Sequence, residues 1–117
     1  MFNGRIYCIT CLVNGKMYIG QTVQLLDNRW RRHVLSTQRG SDHKFHRAIR
    51  KYGEENFLVE EVLTVSAPTK DILKKKLDYV EMRLIKKLET HKCGYNSTDG
   101  GEGTLGLKLS EHAIRKM

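Results

Sequence analysis

The sequence lacks the features that exported and membrane-spanning proteins need. No run of apolar residues in the 117-residue chain approaches the length of a membrane span, and no signal peptide opens it. Its three cysteines, Cys8, Cys11 and Cys93, form an odd set, and without an export signal they do not indicate a disulfide framework. We therefore expect a soluble, cytoplasmic protein with no association with a membrane.

Acidic residues are few compared with basic ones. The chain has 13 Asp and Glu against 21 Lys and Arg, and its formal net charge is +8. Such an excess favours polyanionic partners, because each phosphate that a cation neutralises releases counterions. A solvated basic surface or an attraction to acidic lipid would give the same composition, so charge alone does not decide between these partners.

Turn residues and apolar periodicity divide the chain into six elements in the order β-β-α-α-β-α. Two β-rich runs flank Asn14-Gly15, which predicts a hairpin, and Thr69 after the only proline is a candidate N-cap. We expect an α/β (α+β) domain with a small three-stranded antiparallel sheet flanked by helices, over residues 1–97. The elements are strands over 5–13 and 16–21, helices over 26–38 and 43–52, a strand over 57–64 and a helix over 69–90.

Two tyrosines of the predicted hairpin share one face of the sheet. Side chains alternate along a strand, so Tyr7 and Tyr18 point the same way with either a two-residue or a four-residue loop. The four-residue loop sets Tyr7 opposite Gly20 and Ile9 opposite Tyr18. Gly20 would then leave open space where a ligand could approach the backbone. Tyrosine is common in strands, so the hairpin alone is weak evidence for a site.

The helix after the hairpin carries Arg29 and His33 four residues apart, on one face. A guanidinium can clamp a phosphate, and an imidazole one turn away can accept or pass a proton. An exposed basic helix explains this pair equally well when it is taken alone. Further along, His43 and His46 are three residues apart and could add to one face.

Glu81 lies within the apolar stripe of the long helix. Leu77, Glu81, Leu84 and Leu88 follow a 4-3-4 spacing, so the carboxylate should sit in or beside the core-facing side. Burial there is costly unless a cation or hydrogen-bond donors meet it. A salt bridge is one explanation and a ligand to Mg²⁺ is the other. The remaining acids, which we expect to be solvated, are Asp71, Asp78, Glu60, Glu61 and Glu89.

The ordered set of these residues resembles the GIY-YIG nuclease family over about residues 4–97. Tyr18-Ile19-Gly20 matches the second motif, and Arg5-Ile6-Tyr7 matches the first with Arg in place of Gly. The resemblance implies a DNA endonuclease in which a tyrosine, with Tyr7 preferred over Tyr18, is the general base. It assigns Arg29 to the scissile phosphate, His33 to the network of tyrosine and water, and Glu81 to one Mg²⁺ or Mn²⁺ per active site.

The same resemblance suggests roles for several further residues. Asn96, in Gly94-Tyr95-Asn96, would orient a site group by hydrogen bonds. His43 fits a further histidine near the start of the next helix, and Arg31 and Arg32 would contact the DNA backbone. The expected partner is double-stranded DNA, bound by a monomer without a small-molecule cofactor.

The C-terminal stretch 98–117 resembles a Gly-rich linker and the opening of a nuclease-associated modular DNA-binding motif, with Ser110 as a helix N-cap. This tail favours a homing endonuclease of phage or bacterial type, acting inside a bacterial or phage-infected cell, over a repair or restriction nuclease. A non-catalytic nucleic-acid-binding module is the alternative from another class. It would bind DNA without Mg²⁺ and cut nothing.

Cys8-x-x-Cys11, with His91-x-Cys93, is similar to a set of zinc ligands. Residues three apart on a strand point to opposite faces of the sheet, however. Cys8 and Cys11 should therefore not converge, and this geometry disfavours a zinc site.

Overall fold

A computed structural model describes residues 1–97 of the chain, and the linker and tail expected in 98–117 lie outside the described residues. The described part contains a three-stranded antiparallel sheet in the order β2-β1-β3. Its expected order of strands and helices is confirmed, with one short helix added after the long one. The elements are β1 (Phe2–Cys11), β2 (Met17–Thr22), α1 (Leu26–Gln38), α2 (Lys44–Tyr52), a 3-10 turn (Glu54–Asn56), β3 (Phe57–Ala67), α3 (Lys70–Leu88) and α4 (Thr90–Cys93).

The hairpin of β1 and β2 adopts the four-residue loop. Tyr7 pairs with Gly20 and Ile9 with Tyr18. The loop is closed by hydrogen bonds of 2.8 Å from the Cys11 amide to the Lys16 carbonyl and from the Gly15 amide to the Cys11 carbonyl. Gly15 has a φ of 76°, a conformation in which glycine is not penalised. The shared face of the two tyrosines is thereby confirmed.

The sheet has a hydrophobic core on each face. One core packs β1 side chains against α2, and the other packs β1, β2 and β3 against α3. Cys11 lies in the first core and Cys8 packs against the second, as strand alternation predicts. The buried members of the first are Tyr7, Ile9, Cys11, Phe45, Ala48, Ile49, Phe57 and Tyr95, and those of the second are Ile6, Ile19, Val65, Ala67, Leu73, Leu77 and Ile85.

Helix α3 begins and ends with recognisable signals. The Thr69 hydroxyl accepts a hydrogen bond of 3.1 Å from the Ile72 amide, which confirms the expected N-cap. Glu89, in the left-handed conformation at φ 54°, ends the helix. Leu88, expected on the apolar stripe, is 40% exposed because the helix ends there. Within residues 1–97, no helix combines the length and apolar character needed to cross a bilayer.

Strand β3 carries a bulge beside Tyr7. Ile6 pairs with Leu63 and Tyr7 pairs with Glu61, so Val62 has no partner of its own. A bulge adds one residue to a strand and increases its local twist. The pairing of β3 with β1 is therefore interrupted at the residue that lies at the centre of the site described next.

Candidate active site

Tyr7 forms the floor of the candidate site. It is fully buried, and its ring lies across Gly20 of the neighbouring strand. A Cβ atom at Gly20 would overlap the terminal carbon and the hydroxyl of the Tyr7 ring. The space that the sequence predicted at Gly20 therefore exists, but the tyrosine itself fills it, and the expectation that a ligand could approach there was wrong.

Helix α1 brings Arg29 and His33 onto the Tyr7 hydroxyl. The hydroxyl is hydrogen bonded to Nε2 of His33 at 2.8 Å and accepts a weaker hydrogen bond from Nε of Arg29 at 3.3 Å. His33 is only 3% exposed, while Arg29 is half-buried. The four-residue spacing on α1 thus places a cation and an imidazole on the same phenol oxygen.

Tyr18 packs beside Tyr7 on the same face. Its ring stacks on Phe45 of α2, with centroids 4.3 Å apart and planes 4° from parallel, and it lies 6.3 Å from the Tyr7 ring. The two phenols act on each other electrostatically, since Tyr18 adds to the raised pKa of Tyr7. Tyr18 is half-buried, so it is the one of the two tyrosines that reaches solvent.

Two more histidines come from the start of α2, and the structure gives them different positions. Nε2 of His46 is hydrogen bonded to Nδ1 of His33 at 2.9 Å, and its own Nδ1 is hydrogen bonded to the Ser41 hydroxyl at 2.8 Å. His43 is the N-cap of α2, where Nδ1 accepts a hydrogen bond from the Phe45 amide at 3.2 Å. His46 is therefore the histidine in direct contact with His33.

Burial keeps these groups neutral. It raises the pKa of Tyr7 well above its ordinary value, with a further rise from Tyr18, although Arg29 opposes the shift. Burial, the positive charge of Arg29 and the neighbouring histidines lower the pKa of His33 to about 3. Burial, His43 and the positive charges of Arg29 and Arg50 lower the pKa of His46 to about 4. Near neutral pH the phenol and both imidazoles are therefore uncharged.

Glu81 reaches the site from α3, on the other face of the sheet. Burial raises the pKa of its carboxyl to about 7; a hydrogen bond from Gln21 opposes this rise, and the nearby Asp78 carboxylate adds to it. The charge of Glu81 also contributes to the raised pKa of both Tyr7 and Tyr18. The glutamate therefore lies close enough to the phenols to share an electrostatic environment with them.

Asp78 is 6% exposed, so the expectation that it is solvated was wrong. It accepts a hydrogen bond of 2.8 Å from the Gln21 side chain and forms a 2.8 Å ion pair with Lys74. Lys74 also donates to the Gln21 side-chain oxygen at 3.3 Å. This cluster surrounds the base of Glu81 with one acid, one amide and one cation.

Asn96 holds the outer edge of β2. Its side-chain oxygen accepts from the Ile19 amide at 2.9 Å, and its side-chain nitrogen donates to the Ile19 carbonyl at 2.8 Å. Ile19 lies between Tyr18 and Gly20, so the amide fixes the strand that carries both. Asn96 thus contacts the site through the backbone of β2.

The other residues that the sequence singled out lie apart from this cluster. Arg31 and Arg32 are exposed on α1. His91 and Cys93 are exposed on α4, and residues 1–97 contain no group of three or more His, Cys, Asp or Glu side chains arranged to hold a metal ion. The structure therefore brings together Tyr7, Tyr18, Gly20, Arg29, His33 and Glu81, with Asn96 behind them and His43 at their margin.

The sequence did not single out Gln21, Phe45 or Ser41, and the resemblance gave the further histidine of the site to His43 and no role to His46. The period-2 pattern of β2 put Gln21 on the α3 face, which was a usable signal. The pairing of His46 with His33 depends on how α1 and α2 pack, and no local spacing encodes that.

Residues 3–96 match the family model described as the GIY-YIG catalytic domain. A 60-residue stretch is 37% identical to the MSV199 domain-containing protein 146R of Invertebrate iridescent virus 6. That stretch is 51% of this chain and 24% of the viral protein, so the alignment spans about a quarter of the relative's length.

Two solved structures are similar to the fold. One is the catalytic domain of the intron endonuclease I-TevI in a point-mutant form, with a TM-score of 0.65, 27% sequence identity, and coverage of 83% of this chain and 95% of that one. The other is the catalytic domain of the homing endonuclease I-TevI, with a TM-score of 0.64, 27% identity, and coverage of 81% and 98%. The likeness therefore extends over nearly the whole of both solved domains.

Proposed function

Because the chain belongs to the GIY-YIG family and so carries a DNA endonuclease domain, a hydrolase, we propose that the whole protein is a metal-dependent homing endonuclease. Its substrate is double-stranded DNA, whose phosphodiester bonds it hydrolyses as a monomer. The observation that carries this proposal is the grouping of three side chains at the Tyr7–Gly20 pair of the β1–β2 hairpin. The guanidinium of Arg29 is hydrogen bonded to the Tyr7 phenol, and the carboxylate of Glu81 interacts electrostatically with both.

Glu81 is the residue suited to hold the metal ion. Its carboxyl is largely buried, and the Asp78 charge beside it adds to the cost of ionisation, so a cation would relieve an unfavourable charge there. Carboxylate oxygen is the donor that Mg²⁺ and Mn²⁺ prefer, and one carboxylate leaves coordination positions for phosphate and water. Such an ion would supply Lewis-acid stabilisation of the charge that develops on the phosphate and the leaving oxygen.

Arg29 and the tyrosines supply the remaining chemistry. Nε of Arg29 donates a hydrogen bond to the Tyr7 hydroxyl. The terminal nitrogens of its guanidinium can donate hydrogen bonds to the scissile phosphate. The attacking water gives its proton to a tyrosine. Tyr7 is the acceptor, because Arg29 and His33 are both hydrogen bonded to its hydroxyl. Tyr7 has no exposed surface and Tyr18 has some, so the water's proton reaches Tyr7 either directly, once DNA has bound, or through Tyr18.

Recognition of the target is assigned to other parts of the protein. Arg31 and Arg32 contact the DNA backbone, which gives affinity without sequence selectivity. Residues 98–117, whose sequence resembles a Gly-rich linker and the start of a DNA-binding motif, are assigned to target recognition. The homing role rests on that tail and on the likeness to a homing endonuclease domain. Mapping the cleavage sites of the full-length protein in genomic DNA would test it, since cleavage at scattered sites would contradict homing.

The test of the nuclease function is nicking of supercoiled plasmid DNA with Mg²⁺, with Mn²⁺ and with EDTA. We expect cleavage with either ion and none with EDTA. Glu81→Gln should lose at least about 100-fold in rate, while the matched change Glu60→Gln, at an exposed position on β3, should not alter it. Binding that is indifferent to Mg²⁺, with no cleavage, would instead establish a non-catalytic DNA-binding module.

A further inference from the structure

Three consecutive hydrogen bonds join the Tyr7 hydroxyl to a residue at the edge of the site. Tyr7 is hydrogen bonded to Nε2 of His33 at 2.8 Å, and Nδ1 of His33 to Nε2 of His46 at 2.9 Å. Nδ1 of His46 is hydrogen bonded to the Ser41 hydroxyl at 2.8 Å. Both nitrogens of each imidazole are therefore used, one toward Tyr7 and one toward Ser41.

We propose that Tyr7, His33, His46 and Ser41 form a proton relay that carries the proton of the attacking water away from Tyr7 to solvent. This inference rests on the proposed endonuclease function and adds His46 and Ser41 as residues that act through Tyr7. Ser41 is half-buried and ends the hydrogen-bonded chain, so we assign the exit to solvent to its hydroxyl. His33 connects Tyr7 to His46 because Nε2 of its ring is hydrogen bonded to Tyr7 and Nδ1 to His46.

The relay has two self-consistent arrangements of protons. In one, each group donates toward Ser41; in the other, each group donates toward Tyr7. A neutral imidazole has one N–H and one bare nitrogen, so each histidine fits both arrangements by changing its tautomer. One proton can therefore shift along every hydrogen bond of the relay while the nitrogen, oxygen and carbon atoms stay in place.

A concerted transfer of protons avoids placing an unfavourable charge on any one group of the relay. The phenol oxygen of Tyr7 resists becoming negative because it is buried beside Tyr18. The imidazoles of His33, which is buried, and of His46, which is half-buried, resist becoming positive because Arg29 and the neighbouring histidines lie close to them. A stepwise transfer would create one of these unfavourable charges. When all links shift together, each relay group begins and ends neutral.

Every proton in this step has a donor and an acceptor. The water's O–H bond breaks as its oxygen bonds to phosphorus, and the proton passes to the phenol oxygen. Tyr7 gives its own proton to Nε2 of His33, His33 gives its Nδ1 proton to Nε2 of His46, and His46 gives its Nδ1 proton to the Ser41 oxygen. Ser41 releases its hydroxyl proton to solvent, and the leaving sugar oxygen takes one proton from solvent.

The neighbouring His43 does not belong to this chain. Its Nδ1 caps α2 by accepting from the Phe45 amide, and its Nε2 is hydrogen bonded to the Ser97 hydroxyl at 3.3 Å. The loop that carries Ser41 is instead fixed by Arg50, which donates to the Ser41 carbonyl at 2.9 Å and to the Thr37 carbonyl at 2.8 Å. His43 contributes to the relay end only through its backbone amide, which donates to the Ser41 hydroxyl at 3.3 Å, and its ring is not a link of the relay.

The variant His46→Gln distinguishes proton transfer by His46 from mere positioning of His33. A glutamine can still hydrogen bond His33, but its amide does not exchange a proton between two atoms as an imidazole does. We expect single-turnover plasmid nicking with saturating Mg²⁺ to slow by about 100-fold or more, with an unchanged melting temperature. His46→Ala should be slow as well, and added imidazole should restore part of its rate. His91→Gln, the same change at an exposed histidine, should nick like the wild type.

Several results would overturn the relay. If His46→Gln nicks at the wild-type rate, or if imidazole leaves His46→Ala unchanged, His46 only positions His33, and the endonuclease function stands without the relay. If the wild type cuts nothing with Mg²⁺ or Mn²⁺, both proposals fall. A measurement without turnover is ¹⁵N NMR on the whole protein: we expect a coupling across the hydrogen bond between His33 Nδ1 and His46 Nε2, and its absence at neutral pH would contradict the chain.

Discussion

Replacing Gly20 by alanine should damage the site through Tyr7 alone. The added methyl group would overlap the terminal ring carbon and the hydroxyl of Tyr7, which is fully buried and cannot swing into solvent. The ring must therefore move, or β2 must separate from β1. Overpacking of this kind costs about 1–3 kcal/mol of unfolding free energy. For a domain of this size, each kcal/mol lowers Tm by about 4–8 °C.

The effect on catalysis should exceed the effect on stability. A Tyr7 ring displaced by about 1 Å no longer reaches both His33 and Arg29, and errors of that size cost about 100-fold in rate. Plasmid nicking should be measured well below the lowered Tm, so that unfolding does not contribute. Gly15→Ala is the matched control: Gly15 has open space but a φ of 76°, so this change should cost about 1 kcal/mol and leave the nicking rate unaltered.

A double variant decides whether Tyr7 is the target of the methyl group. If Gly20→Ala acts by displacing the phenol, then adding it to Tyr7→Phe should lower the rate no further, because the hydroxyl is already gone. Independent, multiplying losses would refute this reasoning. So would a Gly20→Ala protein with the stability and the nicking rate of the wild type.

Three other outcomes follow from the geometry. Asn96→Ala leaves the buried amide and carbonyl of Ile19 without their side-chain partners and should cost about 2–4 kcal/mol, measured by urea unfolding; a loss under about 0.5 kcal/mol would contradict the role of this side chain. His33 stays neutral when folded, with a pKa of about 3, whereas an unfolded histidine titrates near 6.5, so only the unfolded chain gains this proton as pH falls below 6.5. His33 should therefore contribute a loss of about 2 kcal/mol between pH 7 and pH 5, while the raised pKa of Glu81 acts in the opposite direction. The test is the difference: over this pH range the stability of the wild type should fall by about 2 kcal/mol more than that of His33→Phe. Tyr7→Phe should nick more slowly than Tyr18→Phe if water meets Tyr7 directly, and equal losses would indicate transfer through Tyr18.

Local rules were enough for the elements and for the face that each key side chain occupies. Strand parity placed both tyrosines together, the four-residue interval placed Arg29 with His33, and Thr69 marked the start of α3. Each of these depends only on the geometry of one element or one hairpin. The expected assignment of the chain to a nuclease family followed from their order along the chain.

The errors concern contacts between distant elements. Asp78 is buried because Gln21, 57 residues away, meets it across the packing of β2 with α3. His46 rather than His43 joins His33 because of how α1 crosses α2, which periodicity does not encode. Gly20 offered space, but only the register and the ring orientation together showed that Tyr7 occupies it.

The bond between Asn96 and Ile19 also bears on when the enzyme becomes active. An unpaired outer strand can pair with another chain, and here one amide side chain takes the place of a neighbouring peptide at the centre of β2. The two residues are 77 positions apart, so the hairpin leaves the ribosome long before its edge can be covered. A chain cut at residue 93 should therefore self-associate in gel filtration and nick poorly, even though it retains both tyrosines, Arg29 and Glu81.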